Sequence, residues 1–224
     1  MAKRRKRSAG RKAGNGRAPS AREEARAARG DASPDRIIDT TMDLIAGRGW
    51  RNLSLADIAS ATGLSLAQLY AVFPSKLAVL DAFERRVNER TLAGEVSAED
   101  SIRDRLFDLV MRRLDTLAPH RPAIRALIRD LPLDPSIALC TGPRFLNAMR
   151  WMAESAGVDT SGLGGWLRVN GVAAVYVSTL YAWLNDETAD NSRTLAALDR
   201  ALKQAEFFAR SIPGFTRPSA AAAA

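Results

Sequence analysis

The most constraining feature of the sequence is residues 53–73, which have the pattern of two short helices joined by a tight turn. Ser54 can cap the first helix, because its side-chain oxygen accepts from backbone N–H groups left free at a helix start. Gly63 stands where the chain reverses, and glycine enters the left-handed region at little cost. Ser65 can cap the second helix, and Gln68 completes a capping-box pattern. The stretch therefore predicts a helix-turn-helix, whose second helix lies in the DNA major groove.

A plain helical hairpin in an all-α core is the alternative for this stretch, and the flanking residues favour the DNA-binding motif. The second helix is followed by Phe73, Pro74, Ser75 and Lys76, and an amphipathic helix precedes the first and ends near Gly49. With these flanks, residues 35–80 resemble the DNA-binding domain of the TetR family of bacterial transcriptional regulators.

The resemblance to the TetR family implies roles for particular positions. In that family, residues at the start of the second helix face base edges, while its Tyr and a following Lys contact phosphates. The candidate DNA-binding residues are Ser54, Ser65, Leu66, Ala67, Gln68, Tyr70 and Lys76. Gln68 can bridge adenine N6 and N7 or turn back on Ser65, and both interpretations stay open. Ala71 departs from the family pattern, which often has a basic or aromatic residue there.

Charge is distributed unevenly along the 224 residues, whose net charge is +8. Residues 1–30 hold 11 Lys or Arg and two Glu, so this segment carries +9 and the remainder carries −1. Residues 1–32, called the basic arm below, contain too few apolar residues to pack and are predicted to be disordered. The basic arm favours attraction to nucleic acid, with an anionic membrane surface or a solvated tail as alternatives.

Catalysis, metal binding and membrane insertion find little support in the sequence. His120 is the only histidine and Cys140 the only cysteine, so we expect no metal site, cofactor, enzyme activity or intrachain disulfide, and we expect a reducing cytoplasm. The longest apolar stretch, residues 172–184, is shorter than the roughly 20 residues of a membrane-spanning helix.

Apolar residues recur at three and four positions, and strand signals are nearly absent, so the fold class is predicted to be all-α. We expect an N-terminal helix-turn-helix domain of three helices in residues 33–92, a larger helical ligand-binding and dimerisation domain in residues 98–212, and a disordered tail in residues 213–224. Predicted helices in the second domain cover residues 102–117, with Arg113 facing solvent, and residues 124–131, 145–156, 163–185 and 195–212.

Large apolar side chains suggest where the second domain would bind a small apolar ligand, although core packing is the commoner explanation for such residues. The candidate ligand-binding residues are Phe145, Met149, Trp151, Met152, Tyr176 and Trp183. The last two helices, with small residues such as Ala173 and Ala174, are predicted to form a four-helix bundle with a second subunit.

A second resemblance covers the C-terminal half in scattered pieces. Residues 103–104, 117–120, 173–176, 178–186 and 198–200 are similar to the ubiquinone-biosynthesis accessory proteins, which have a TetR-like fold, bind lipid and do not act through DNA. This resemblance implies an isoprenoid-like ligand and an alternative function. The capped helices of residues 54–76 and the basic arm favour the DNA-binding interpretation.

Overall fold

The computed structural model describes residues 33–97, 99–133 and 135–211, all of which lie between the two predicted disordered segments. The basic arm and the tail of residues 213–224 fall outside the described residues. The described chain is built from α-helices and two short 3-10 turns, Ala118–His120 and Leu131–Leu133, which confirms the predicted all-α class. No single helix in the described ranges is long and apolar enough to cross a membrane.

The α-helices are numbered in chain order. They are α1 (Pro34–Arg48), α2 (Leu55–Thr62), α3 (Leu66–Val72), α4 (Lys76–Leu92), α5 (Ile102–Leu117), α6 (Arg121–Asp130), α7 (Pro135–Ser155), α8 (Gly162–Leu184) and α9 (Ser192–Ser211).

The first three helices form the predicted helix-turn-helix domain. α1 begins at Pro34, where a missing N–H is tolerated, and it buries Ile37 and Ile45 completely. The axes of α2 and α3 are bent by 101° relative to each other, within the range of helix-turn-helix motifs. Gly63 makes the turn with φ of 73°, as the sequence predicted. Ile58 and Leu69 fill the angle between the two helices, with exposures of 0% and 1%.

The remaining helices form a larger bundle on the C-terminal side of α4. α8 packs along both α7 and α9, while α6 packs against α1 and so joins the bundle to the helix-turn-helix domain. Trp50 and Leu53 are buried in the loop between α1 and α2, and the Trp50 backbone N–H donates to Asp130 at this junction. His120 lies there too, with its ring edge-on to Phe83 at a centroid distance of 5.2 Å.

The structure corrects several expectations about the bundle. α7 begins at Pro135, ten residues before the predicted start, and continues through Pro143, which stands inside the helix. Arg113 is buried, with an exposure of 4%, whereas we expected it to face solvent. Ala173 is buried in its own subunit, and Phe208 is 66% exposed although its spacing placed it with the buried Leu198 and Leu202.

Candidate nucleic-acid interface

The start of α2 is fixed by a reciprocal capping box. The Ser54 hydroxyl accepts from the backbone N–H of Asp57 at 3.1 Å, and the Asp57 carboxylate accepts from the Ser54 N–H at 2.9 Å. Hydrogen bonds from the Ser54 hydroxyl and its backbone N–H lower the pKa of Asp57, which also pairs with Arg48 at 3.0 Å. Ser54 is exposed, as a phosphate contact requires. Its hydroxyl, however, also donates to the Asp57 carboxylate.

α3 begins with the same arrangement. The Ser65 hydroxyl accepts from the Gln68 backbone N–H at 3.2 Å, and the Gln68 side-chain oxygen accepts from the Ser65 N–H at 2.8 Å. Of the two interpretations of Gln68 left open by the sequence, the structure contains the one in which its side chain closes the capping box.

The tip of α3 is turned away from the protein. Leu66 and Tyr70 are 57% and 67% exposed, and Ala67 and Gln68 are also exposed. Only Leu69 of this helix is fully buried, and it anchors the helix to the domain. The candidate base-contacting residues therefore share one solvent-facing surface.

Lys76 has partners inside the protein. Its ammonium donates to the backbone carbonyls of Leu53 and Trp50, the latter at 3.3 Å, and lies 4.6 Å from the centre of the Trp50 ring. Lys76 therefore holds the loop between α1 and α2 onto the start of α4. The sequence had assigned it a phosphate contact, and the structure adds an internal role that sequence reading missed.

Charges in residues 33–92 balance, since this part of the chain contains seven Lys or Arg and seven Asp or Glu. α3 itself, from Leu66 to Val72, contains no charged residue. The positive charge that would attract a polyanion is consequently concentrated in the basic arm, which ends next to Ser33 at the start of α1.

Asp130 is a second residue whose role the sequence did not predict, and it lies near the helix-turn-helix domain, which is called the head below. It ends α6, is only 6% exposed and accepts from the backbone N–H of Trp50 at 2.9 Å. Its partner is 80 positions away in sequence, so no local pattern indicated it.

The six candidate ligand-binding residues do not form one cluster. Met149 and Met152 are buried in the bundle, and the Phe145 ring lies 5.8 Å from that of the buried Tyr176. Trp151 is 55% exposed, so the expectation that it lines the interior is corrected. The reason is helical geometry, because successive residues are turned by about 100° and Met152 occupies the inward direction. Trp183 is also buried, but it packs against Arg121, whose guanidinium lies 4.7 Å from its ring.

A buried polar group lies beside the aromatic pair of Phe145 and Tyr176. Arg113 donates to the side-chain oxygen of Asn88, approaches a Glu84 carboxylate oxygen at 3.7 Å and lies 5.3 Å from the Tyr176 ring centre. Burial raises the pKa of Glu84, and the neighbouring Arg113 partly offsets this effect. The sequence did not predict this group because Arg113 was assigned to the solvent face of α5.

One face of α8 exposes a stripe of large apolar side chains along the helix. Its members are Leu163, Trp166, Leu167, Val177 and Tyr181, which are between 42% and 79% exposed. The one charged residue of α8, Arg168, is turned inward and pairs with Asp159 at 3.2 Å. Such a long uncharged face is typical of a surface that contacts another protein chain.

Taken together, the helix-turn-helix head and the helical bundle behind it define an all-α protein of two parts, one of which has the motif of DNA-binding proteins. Comparisons with known proteins agree. Residues 37–83 match the family model described as bacterial regulatory proteins of the tetR family, and residues 169–209 match the COQ9 model. The resemblance to the TetR family is therefore confirmed for the helix-turn-helix region, and the second resemblance is confirmed for its pieces after residue 169, whereas residues 103–104 and 117–120 lie outside the match.

Two solved structures share the fold. A TetR transcriptional regulator from Nitrosomonas europaea ATCC 19718 is 26% identical, with a TM-score of 0.64 over 78% of this chain and 98% of that one. A TetR transcriptional regulator from Rhodococcus sp. RHA1 is 17% identical, with a TM-score of 0.57 over 82% of this chain and 97% of that one. No curated protein sequence matches the chain significantly. The chain thus has the fold of TetR-type regulators.

Proposed function

We propose that the protein is a TetR-like transcriptional regulator that binds double-stranded DNA as a homodimer, and that it acts as a cytoplasmic repressor controlled by a small apolar ligand. The observation that carries the proposal is the outward-facing tip of α3, where Leu66 and Tyr70 are more than half exposed. A helix that served only core packing would bury these side chains. A capping box fixes the start of each helix of the helix-turn-helix, which suits a surface that must keep its shape on contact with DNA.

The dimer is proposed to form through α8 and α9. The exposed apolar stripe of α8 runs along most of that helix, and Phe207 and Phe208 on α9 are 69% and 66% exposed. A two-fold arrangement would offer two copies of α3 to major-groove segments one helical turn, about 34 Å, apart. The expected target is therefore a palindromic duplex.

Affinity for DNA is proposed to come from the basic arm, because residues 33–92 have no net charge. Lys and Arg side chains that neutralise phosphates release counterions, which strengthens binding to any sequence. α3 would then contribute sequence preference. The proposal thus divides attraction and discrimination between two parts of the chain.

Control by a ligand requires only that the ligand prefer the conformation that does not bind DNA. The supporting feature is the bundle interior around Phe145, Met149, Met152 and Tyr176, which is apolar except for the neighbouring Arg113 and contains adaptable thioethers. α6 joins this bundle to α1 of the DNA-binding head. A hydrophobic, isoprenoid-like molecule is the proposed effector.

The experiment that tests DNA binding uses the full-length protein in a selection from a random duplex library at physiological salt. The selected palindrome and a scrambled duplex of equal composition are then titrated. We expect at least tenfold tighter binding to the selected duplex, and equal affinity for both would refute the proposal. In cells, deletion of the protein should raise transcription from the promoter that contains the selected palindrome, whereas a fall would refute repression.

A second candidate function is that of a lipid-binding accessory protein of ubiquinone biosynthesis. It is favoured by the match of residues 169–209 to the COQ9 model. Native mass spectrometry of the purified protein separates the two candidates when it is combined with the DNA titration. A co-purified isoprenoid lipid without any preferred duplex would support the accessory role, and a preferred duplex would support the regulator.

A further inference from the structure

An apolar groove lies at the part of the protein proposed to meet DNA. It has a volume of about 380 Å³ and is lined by Leu55, Leu66, Ala67, Leu69, Tyr70 and Phe73. Leu55 begins α2, whereas the other lining residues extend from the start of α3 to its C-cap Phe73, so the groove lies between the start of α2 and the length of α3. The groove is open to solvent through the exposed Leu66 and Tyr70.

The polar side chain best suited to read bases is already engaged. An amide that recognises adenine through N6 and N7 must accept with its oxygen and donate with its nitrogen. The oxygen of Gln68 instead accepts from the Ser65 backbone N–H at 2.8 Å. Bidentate contact with adenine would open the capping box and release backbone groups at the start of a helix of only seven residues.

The remaining exposed side chains of α3 offer mostly apolar surface. The helix contains no Lys, Arg, Asp or Glu, and Ala67 and Ala71 are exposed beside Leu66. In the major groove, the apolar group that distinguishes one base from the others is the C5-methyl of thymine. Apolar side chains that bury this methyl group discriminate without any hydrogen bond.

The occupant of the groove follows from the position of the basic arm. The arm, with 11 Lys or Arg and three Asp or Glu, carries a net charge of +8, equal to that of the whole chain, and in the sequence it ends one residue before α1, the first helix of the domain that contains α3. A polyanion held by the arm is therefore brought to the α3 surface, whereas a neutral apolar ligand would gain nothing from the charge.

We propose that α3 recognises thymine C5-methyl groups. Leu66, Ala67 and Tyr70 are the contacting residues, and the groove accommodates the methyl groups. This inference rests on the proposed DNA-binding function and names the chemical group that the head recognises. Burial of one methyl group corresponds to about a fourfold change in affinity. A half-site with two such contacts therefore owes about a 15-fold preference to methyl groups alone.

The test uses the full-length protein and the selected palindrome, with each thymine replaced in turn by 2′-deoxyuridine, which lacks only the methyl group. At two or more positions per half-site we expect a three- to fivefold loss of affinity, and 5-bromo-2′-deoxyuridine, whose bromine is similar in size to the methyl, should restore binding. As the control, 2′-deoxyuridine is placed in the base pairs that flank the palindrome, where it should not change the affinity.

Leu66→Ala should reduce the thymine-to-uracil difference, while Leu139→Ala, at a position on α7 that is 79% exposed, should leave it intact. Because Leu66 is exposed, its variant is expected to stay folded, and circular dichroism checks this. A preferred duplex that tolerates uracil at every position would overturn the inference and leave the proposed function standing. Failure to select any duplex would refute both.

Discussion

The Asp130 carboxylate accepts a hydrogen bond from the backbone N–H of Trp50 at 2.9 Å and thereby joins the end of α6 to the loop between α1 and α2. Burial acts to raise the pKa of Asp130, but hydrogen bonds from Arg129 and from the backbone of Arg51 and Trp50 outweigh it and hold the pKa below its usual value. On the other side of the same loop, Lys76 donates to the carbonyl of Trp50. The loop is thus held from two directions, by one residue of the bundle and one residue next to α3.

Removal of the Asp130 carboxylate should destabilise the protein. Asp130→Ala leaves the buried N–H of Trp50 without an acceptor, which costs about 1–3 kcal/mol. Urea denaturation should show this decrease in the free energy of unfolding. Asp115→Ala is the matched control, because Asp115 is exposed on α5 and its loss should change stability by less than about 0.5 kcal/mol. Equal effects of the two substitutions would contradict the role of Asp130.

Gly49 and Gly47 provide a second matched pair of substitutions. Gly49 has φ of 78°, and a Cβ placed there would lie 2.9 Å from a carboxylate oxygen of Asp130. Gly49→Ala should therefore lower the melting temperature and cost about 1 kcal/mol or more. A Cβ at Gly47, inside α1, meets nothing within 4 Å. Gly47→Ala should stabilise by about 0.4–1 kcal/mol, since alanine is the better helix former. The prediction fails if both variants shift the melting temperature in the same direction.

The features that the sequence predicted well are those encoded locally. Ser54, Gly63, Ser65 and Ser75 each act within three or four residues, and each has the capping or turn conformation expected of it. The number of helices in the head and the exposed position of the α3 tip followed from these signals and from apolar spacing.

The features that the sequence did not predict depend on distant partners. Arg113 was placed at the surface by its charge, yet its spacing from Leu109 and Leu117 puts it on the buried side of α5, where it donates to Asn88 and lies near the Glu84 carboxylate. The role of Asp130 likewise depends on a partner 80 residues away. Periodicity gives the face of a helix, but it does not show which charged residues on the inner face find partners.

His120 makes stability depend on pH at the junction between head and bundle. Burial lowers the pKa of His120 below the usual value for histidine, while the nearby Asp39, 3.6 Å from the ring nitrogen, acts in the opposite direction. Arg86 and Arg90 also disfavour the charged ring, and Asp43 favours it. The folded state thus prefers the neutral imidazole.

Because its folded pKa is lowered, the contribution of His120 is fully present above a pH of about 6.5 and is lost as the pH falls toward the folded pKa. Urea denaturation from about pH 7.5 to 5 should therefore show a decline in stability that is steeper for the natural protein than for His120→Gln, which cannot titrate. Glutamine also loses the edge contact with Phe83, so its stability is lower throughout but flatter with pH. Parallel pH profiles would contradict this role.

The salt dependence of DNA binding should come from the basic arm and depend little on Lys76. Replacement of Lys3, Arg4, Arg5, Lys6 and Arg7 by serine removes five charges from a segment that carries nearly all of the net charge. If each neutralises one phosphate, the slope of log affinity against log salt concentration should become shallower by up to about 4.5. Fluorescence anisotropy of the selected duplex between about 50 and 200 mM salt measures this slope.

Lys76→Met is the informative comparison for that experiment, because the Lys76 ammonium already donates to two backbone carbonyls. We expect a change in slope of less than about one, accompanied by a loss of about 1–3 kcal/mol in the free energy of unfolding as those buried groups lose their donor. Arg85→Met, at a residue that is 73% exposed on α4, controls for the removal of a positive charge from the same domain. A slope that the arm substitutions leave unchanged would remove the basic arm from the mechanism. A large change in slope with Lys76→Met would place phosphate contacts on the folded helix-turn-helix domain.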